Sequence, residues 1–132
     1  MSRMHRARRS LAREDGVAAV EFAIVAVLLF MVVFAIMVFG VLFSQYQAYQ
    51  AAAREGARVA AVRGGPSDIA AAAQDAAEGY PLGGTPTADK VCDDTTSGDP
   101  VTVSWTQPFV IDIPFVPTIT KDVLIKGTFR CE

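Results

Sequence analysis

The strongest feature of the hydropathy pattern is an unbroken apolar run near the N-terminus. Every residue from Phe22 to Phe43 is apolar or glycine, 22 residues in all. As a helix this run measures roughly 33 Å, which is enough to cross a hydrocarbon core about 30 Å thick. The pattern therefore predicts a transmembrane helix over residues 17–43, with a single acid, Glu21, at its start.

The helical pattern continues beyond the apolar run. Residues 44–63 are rich in alanine, glutamine and arginine, contain no proline and lead into Gly64-Gly65-Pro66. One continuous helix is therefore predicted from about Val17 to Arg63, with residues 44–66 outside the membrane. Small residues on one helix face allow close packing against another helix or a sheet. The predicted packing face consists of Tyr46, Tyr49, Ala53, Ala57 and Ala60.

Residues 67–132 have the pattern of a small α+β domain. An alanine-rich helix is predicted over about Ser67 to Glu78, and beyond it the apolar positions alternate with period two. Prolines 108, 114 and 117 are expected at strand edges or in turns. The fold class is α+β, with a small antiparallel sheet of about three strands packed on the outer half of the long helix. The predicted strands are Val101–Trp105, Val110–Ile113 and Val123–Cys131, with a fourth considered at Lys90–Asp93.

The charge distribution gives the helix an orientation. Residues 1–16 carry a net charge of +3, the remainder carries −5, and no Lys or Arg follows the apolar run until Arg54. The positive-inside rule then puts the N-terminus in the cytoplasm and the C-terminal part outside. Residues 1–16 have no apolar periodicity and are interpreted as a cytoplasmic leader rather than a folded unit. The acidic remainder argues against nucleic-acid binding.

Two cysteines, Cys92 and Cys131, lie on the outer, oxidising side, so a disulfide between them is expected, with two free thiols as the alternative. A bridge would close a loop of about 40 residues, worth about 4 kcal/mol in the chain-entropy model. Neither catalytic nor metal-binding patterns are evident. The single histidine, His5, is in the leader, and the acidic loop at residues 93–99 does not have EF-hand spacing. We expect neither an enzyme nor a cofactor.

The most informative constellation is the glycine and the acid that precede the apolar run. Gly16 would let a membrane peptidase approach the backbone closely, and cleavage after it would expose the amine of Val17. Glu21 would then lie one helical turn from that amine. A carboxylate deep in lipid costs about 2.5–3.5 kcal/mol, and pairing with an amine lowers that cost. Such pairing would also set the axial register between stacked helices.

These residues resemble a type IV prepilin, and more narrowly the TadE family of minor pilins, or pseudopilins, of the tight adherence (Tad, Flp-type) pilus system. The resemblance lies in EDGVAAVEFAIV at 14–25, in QYQAYQAAAREGARVAA at 45–61 and, more weakly, in the closing VLIKGTFRC. Major Flp pilins usually have Glu-Tyr where this chain has Glu21-Phe22, and they are much shorter, which favours a minor subunit.

The resemblance implies cleavage between Gly16 and Val17 by a prepilin peptidase, with Glu21 and Phe22 needed for processing and assembly. The implied partners are other pilins or pseudopilins and the Tad assembly platform, and the implied role is in pilus biogenesis and adherence at the bacterial cell membrane. The alternative is an unprocessed, signal-anchored envelope protein with a small extracytoplasmic binding domain, in which Glu21 is only an interfacial carboxylate.

Overall fold

The computed structural model describes residues 2–113 and 117–132, with side chains from Gly16 onward. The described part contains two helices and one three-stranded antiparallel sheet, so the predicted α+β class is confirmed. In chain order the elements are α1 (Ser2–Ala61), α2 (Pro66–Ala76), β1 (Thr87–Ala88), β2 (Pro100–Ile111) and β3 (Ile119–Arg130).

The chain forms two compact units, Met1–Met37 and Val38–Glu132. In the first unit, the large apolar side chains from Val17 onward are exposed, from 45% at Val33 to 73% at Phe22. Within the described residues, one helix is long and apolar enough to cross a membrane. The predicted borders between leader, transmembrane helix, outer helix and C-terminal domain, at residues 16, 43 and 66, depend on the membrane and on leader removal. They remain predictions.

Helix α1 is longer than expected at its N-terminal end. The continuous helix was predicted from about Val17, and the backbone is helical from Ser2. Residues 2–15 contain neither glycine nor proline, so nothing in their local propensity interrupts the helix. At the other end α1 stops close to its predicted limit: Arg63 adopts a left-handed φ of 66°, and the Gly64 amide donates to the Val59 carbonyl at 2.9 Å.

Helix α2 begins at a proline, which fits the first helical turn because the missing N–H has no partner there. Gly65 is its N-cap residue, and the Gly65 amide donates to the Asp68 carboxylate at 3.0 Å. The predicted alanine-rich helix is thus present, two residues shorter at its C-terminal end than expected. Its buried side chains, Ile69 and Ala73, face the core.

The sheet has the order β1-β2-β3, and its strands differ from the predicted ones. The strand expected at Val101–Trp105 and the first two residues of the one expected at Val110–Ile113 belong to one strand, β2. It pairs with β3 in one unbroken register from Pro100↔Arg130 to Ile111↔Ile119. The sheet's remaining strand is β1 at Thr87–Ala88, and the segment Lys90–Asp93, considered as a fourth strand, is not a strand.

Pro108 does not interrupt β2 because of the side on which its nitrogen lies. The Thr102 N–H and C=O both bond to Asp89, on the β1 side of the strand. Pro108, six residues further on, has the same orientation, so its missing N–H removes no bond to β3. Its neighbour on that side is Gly83, beyond the end of β1. Pro117 lies in the β2–β3 connection, and Pro114 lies outside the described residues.

The core of the second unit lies between α1, α2 and one face of the sheet. Odd-numbered residues of β2 from Val101 to Phe109 are buried, as are Ile125 and Gly127 of β3, while even-numbered residues face outward. Trp105, expected in the core of the sheet, is 4% exposed. The helix and sheet therefore share one apolar interior, which an isolated hairpin would lack.

Candidate functional site: the processing segment and the helix packing face

The predicted processing segment lies on an open surface of α1. Gly16, Val17, Glu21 and Phe22 are all exposed, and a β-carbon added at Gly16 would have no neighbour within 4 Å. Their backbone is helical, so the peptide groups around Gly16 belong to the helix hydrogen-bond pattern. Val17 and Glu21 are four residues apart and therefore lie on the same helix face, one turn from each other.

Four of the five residues of the predicted packing face are buried in the second unit: Tyr49 is 4% exposed, Ala53 and Ala57 are 0%, and Ala60 is 4%. Tyr46 differs, because 38% of its surface remains exposed at the edge of the core. The buried face is wider than predicted. It also includes Ala48, Ala52 and Ala61.

The face is wide because α1 contacts two elements of the same unit. Gly56 illustrates this: a β-carbon there would meet Val103 of β2 at 3.4 Å, and Ala73 and Ile69 of α2 at 3.6 Å. The sequence left open whether the small residues pack on a sheet or on another helix. In this structure they pack on both, inside one chain.

Tyr49 closes the end of this core nearest the apolar run. Its hydroxyl donates to the Pro81 carbonyl at 3.1 Å, and its ring meets Phe109 edge-on at a centroid distance of 5.7 Å. Burial, and secondarily the neighbouring Tyr80, raise the pKa of the Tyr49 hydroxyl above its ordinary value. The ring and the hydroxyl thus hold the 81–84 segment and the sheet against α1.

Gln107 is an important buried residue that the sequence analysis did not single out. It is 5% exposed, and its Oε1 accepts from the Trp105 indole at 3.1 Å and from the Gly83 amide at 2.7 Å. Its Nε2 donates to the Pro81 carbonyl at 3.5 Å. A usable signal existed, because Gln107 continues the odd-numbered alternation of Val101, Val103 and Trp105.

The structure joins Cys92 and Cys131 in a disulfide with a Cα–Cα distance of 5.5 Å. Both residues are buried. The chain around Cys131 is also held by backbone hydrogen bonds, from Gly98 N–H to the Cys131 carbonyl and from Cys131 N–H to the Asp99 carbonyl, each 2.8 Å. The Glu132 amide donates to the Ala61 carbonyl at 3.1 Å. These bonds tie the loop at 92–99 and residues 131–132 to the end of α1.

The acidic loop is held by its own hydrogen bonds. Asp93 Oδ1 accepts from the Thr95 hydroxyl at 2.6 Å and from the amides of Thr95 and Thr96. These bonds, above all that of the Thr95 hydroxyl, lower the pKa of Asp93. Among the residues that the structure describes, no group of three or more His, Cys, Asp or Glu could hold a metal ion.

The exposed side of α1 opposite the core carries one ion pair and a side-chain hydrogen bond to the helix backbone. Arg58 contacts both carboxylate oxygens of Glu55, at 2.7 and 3.1 Å, and this hydrogen bonding lowers the pKa of Glu55. Arg54 donates to the Gln50 carbonyl at 3.2 Å. This polar side is directed away from the sheet and α2, and it is therefore the side of α1 that a further protein could contact.

Comparison with known proteins supports the resemblance. Residues 16–58 match the family model TadE, described as TadE-like protein, a segment that begins at Gly16 and includes the buried Tyr49, Ala53 and Ala57. No curated protein and no solved structure matches the chain. The resemblance to TadE-like proteins of Tad pilus systems is thus confirmed over this segment.

Proposed function

We propose that this TadE-like chain is a pseudopilin: a membrane-anchored structural and assembly component of a Tad pilus, cleaved after Gly16 by a prepilin peptidase. The observation that carries the proposal is the family match over residues 16–58, which includes both Gly16 and Glu21. It agrees with an apolar helix near the N-terminus that fits a membrane anchor in a pilus system.

The geometry of α1 supports the proposed processing. Gly16 has no side chain of its own, and outside the neighbouring helix backbone nothing lies within 4 Å of where its β-carbon would be, so a peptidase could approach this face of the helix. Cleavage would leave the amine of Val17 one helical turn before Glu21, within reach of its carboxylate or of that of an adjacent subunit. Neutralising this acid lowers the cost of keeping it beside an apolar run. In a stack of helices, the pair would define how far one subunit is displaced along its neighbour.

The proposed role is architectural rather than catalytic. The buried polar side chains of Tyr49 and Gln107 form hydrogen bonds within the fold. Tyr49 donates to a backbone carbonyl, and Gln107 accepts from the Gly83 amide and the Trp105 indole. The proposed partners are the prepilin peptidase, other pilins or pseudopilins and the Tad assembly platform, and the proposed outcome is pilus biogenesis and adherence. The alternative is a signal-anchored envelope protein that is never processed.

Intact mass of the membrane-extracted protein separates these two functions. In cells with an active prepilin peptidase, the pseudopilin should begin at Val17, and Gly16→Leu should keep the residues that precede Val17. Gly40→Leu is the matched control, because Gly40 is also a helical glycine with no neighbour within 4 Å of an added β-carbon. It should be processed normally. An uncleaved wild-type chain would contradict the proposal.

The assembly role of Glu21 needs a second measurement. Glu21→Gln keeps the size of the side chain and removes its charge, so the protein should still insert in the membrane but should not support piliation. Electron microscopy of surface pili in a strain that lacks the wild-type chain gives the result. Normal pili with Glu21→Gln would show that the charge does not set the register.

A further inference from the structure

The second unit contains an open groove where α1 meets the end of the sheet, with a volume of about 340 Å³. The groove is almost entirely apolar at its floor. Among its lining residues are Phe39, Leu42 and Phe43 of α1, and Phe109, Ile111 and Lys121 of β2 and β3.

The depth of this groove relative to a membrane follows from its helical wall. Phe39, Leu42 and Phe43 are the last turn of the 22-residue apolar run, whose length of roughly 33 Å slightly exceeds a hydrocarbon core of about 30 Å. When the run fills the core, these three residues lie at the boundary between acyl chains and headgroups. The sheet residues that share the groove lie at the same level.

Moving the end of the sheet away from these α1 residues would break the side-chain packing between the sheet and α1. The Phe109 ring packs 6.4 Å from the Tyr46 ring and 5.7 Å from that of Tyr49. Leu42 and Val123 pack against the same buried cluster. The end of the sheet is therefore built onto the part of α1 that emerges from the membrane.

The exposed side chains at this end have the chemistry of a membrane interface. Phe39 and Phe43 are each 62% exposed, and Ile119, which pairs with Ile111, is 51% exposed. Lys121 can lie with its methylene stem along this apolar surface and its ammonium among phosphates. At the opposite end of the sheet, the cross-strand neighbours are Thr102 and Thr128, whose hydroxyls bond to each other.

We propose that this groove binds phospholipid of the leaflet at the C-terminal end of the apolar run, with acyl chains against the phenylalanines and a phosphate on Lys121. The groove is continuous with the apolar run itself, which favours lipid over a protein partner. The domain would thus be seated on the bilayer rather than held above it. This inference rests on the proposed membrane anchorage, and on neither cleavage nor pilus assembly.

Depth-dependent quenching in proteoliposomes tests the proposal on the purified, uncleaved full chain. A single cysteine carrying a fluorophore is placed at Ile119 or, as the control on the same strand, at Thr128; both sites are exposed, and the native cysteines are paired. Vesicles contain phosphatidylglycerol and phosphatidylcholine with brominated acyl chains. We expect at least threefold stronger quenching at Ile119 than at Thr128, and equally weak quenching at both would overturn the proposal.

A matched pair of charge reversals tests the phosphate contact. Lys121→Glu should at least halve the quenching at Ile119, whereas Lys126→Glu, an exposed lysine on the outward face of the same strand, should leave it unchanged. Equal effects of the two variants would overturn the role of Lys121. Diluting the chain to about one copy per vesicle should not change the signal, and loss on dilution would assign the groove to a neighbouring protein. A negative result in these lipid experiments would not contradict the proposed cleavage after Gly16 or the proposed role in pilus assembly.

Discussion

Gly127 of β3 lies directly against the α1 backbone at Ala53. A β-carbon added to Gly127 would come within 2.6 Å of the Arg54 amide nitrogen and would also overlap the carbonyl group of Ala53. Because backbone atoms cannot rotate out of the way as side-chain ends do, α1 and β3 approach as closely as they do only with glycine at this position.

Gly127→Ala should therefore separate the sheet from α1. Overpacking of this kind costs about 1–3 kcal/mol of unfolding free energy, and contact with backbone puts this site at the upper end. The measurement is denaturant unfolding of the full chain in detergent micelles, followed by Trp105 fluorescence, which reports on the buried core.

The matched control is the same substitution at Gly56. There an added β-carbon would make ordinary contacts of 3.4–3.6 Å with Val103, Ala73 and Ile69. Gly56 is also in a helix interior, where alanine is favoured over glycine by about 1 kcal/mol. We expect Gly56→Ala to be neutral or stabilising, and equal losses from both variants would refute this account of the helix–sheet contact.

Gln107→Leu should destabilise the second unit although it replaces a polar side chain by an apolar one of similar size. It leaves the Trp105 indole N–H and the Gly83 amide without their acceptor, at a cost of about 1–3 kcal/mol. Gln74→Leu removes only an exposed hydrogen bond to the Tyr80 carbonyl and should change stability by less than about 0.5 kcal/mol. Chemical denaturation of both variants compares them, and a Gln107→Leu protein as stable as wild type would contradict the prediction.

Tyr49→Phe removes the hydroxyl that donates to the Pro81 carbonyl and should cost about 0.5–1.5 kcal/mol. Tyr46→Phe is the control, because the Tyr46 hydroxyl accepts an exposed hydrogen bond from the Gln50 side-chain amide. We expect it to change stability by less than about 0.5 kcal/mol. Comparable losses in the two variants would show that the Pro81 contact carries no special weight.

The raised pKa of Tyr49 gives the sign of its pH dependence. Burial favours the neutral phenol in the folded state, so its stabilising contribution is complete below the ordinary pKa of 10.0 and is lost as pH rises through the folded value. Phenolate absorbance should show one tyrosine titrating late in wild type, and this late phase should vanish in Tyr49→Phe. Its persistence would assign it to another tyrosine.

Loss of the disulfide should weaken the second unit strongly. Cys92 and Cys131 are 39 positions apart, which corresponds to about 4 kcal/mol in the chain-entropy model. Non-reducing gels should show a mobility shift on adding reductant, and Cys131→Ser should abolish that shift and lower the unfolding midpoint. Thiol labelling of the unreduced, unfolded wild-type chain would argue against the bridge.

Thr95→Val should raise the pKa of Asp93 towards its ordinary value, because the Thr95 hydroxyl is the main donor to that carboxylate. The lowered pKa means that this interaction stabilises the loop above the ordinary carboxyl pKa, and that the contribution is lost as pH falls through the folded value. Carboxyl carbon NMR of the chain in micelles gives both titrations. An unchanged midpoint in Thr95→Val would leave the backbone amides as the cause.

The helices could be predicted because their signals are local. The spacing of Tyr49, Ala53, Ala57 and Ala60 is a property of one helix, and all four are buried. The start of α1 at Ser2 could not be read from apolar spacing, because residues 2–15 have no apolar periodicity although nothing in them breaks a helix.

The strands were less predictable because their pairing depends on distant partners. A proline inside a paired strand looks like a break unless the side of its nitrogen is known, and this depends on where β1 ends. Strand β1 has only two residues, and hydrogen bonds between Asp89 and Thr102 extend its pairing with β2. No local sequence pattern predicts this pairing. The need for glycine at position 127 likewise exists only once α1 lies across β3.

The last residues of the apolar run, from Val38 to Phe43, belong to the same compact unit as the sheet. The sheet is therefore not joined to these residues by a flexible linker. A pull or a twist applied to the end of the run is delivered to the sheet through packed side chains, without a slack segment to absorb it. Whatever displaces residues 38–43 therefore displaces the sheet as well, because Leu42 packs against the buried cluster that contains Phe109 and Ile125.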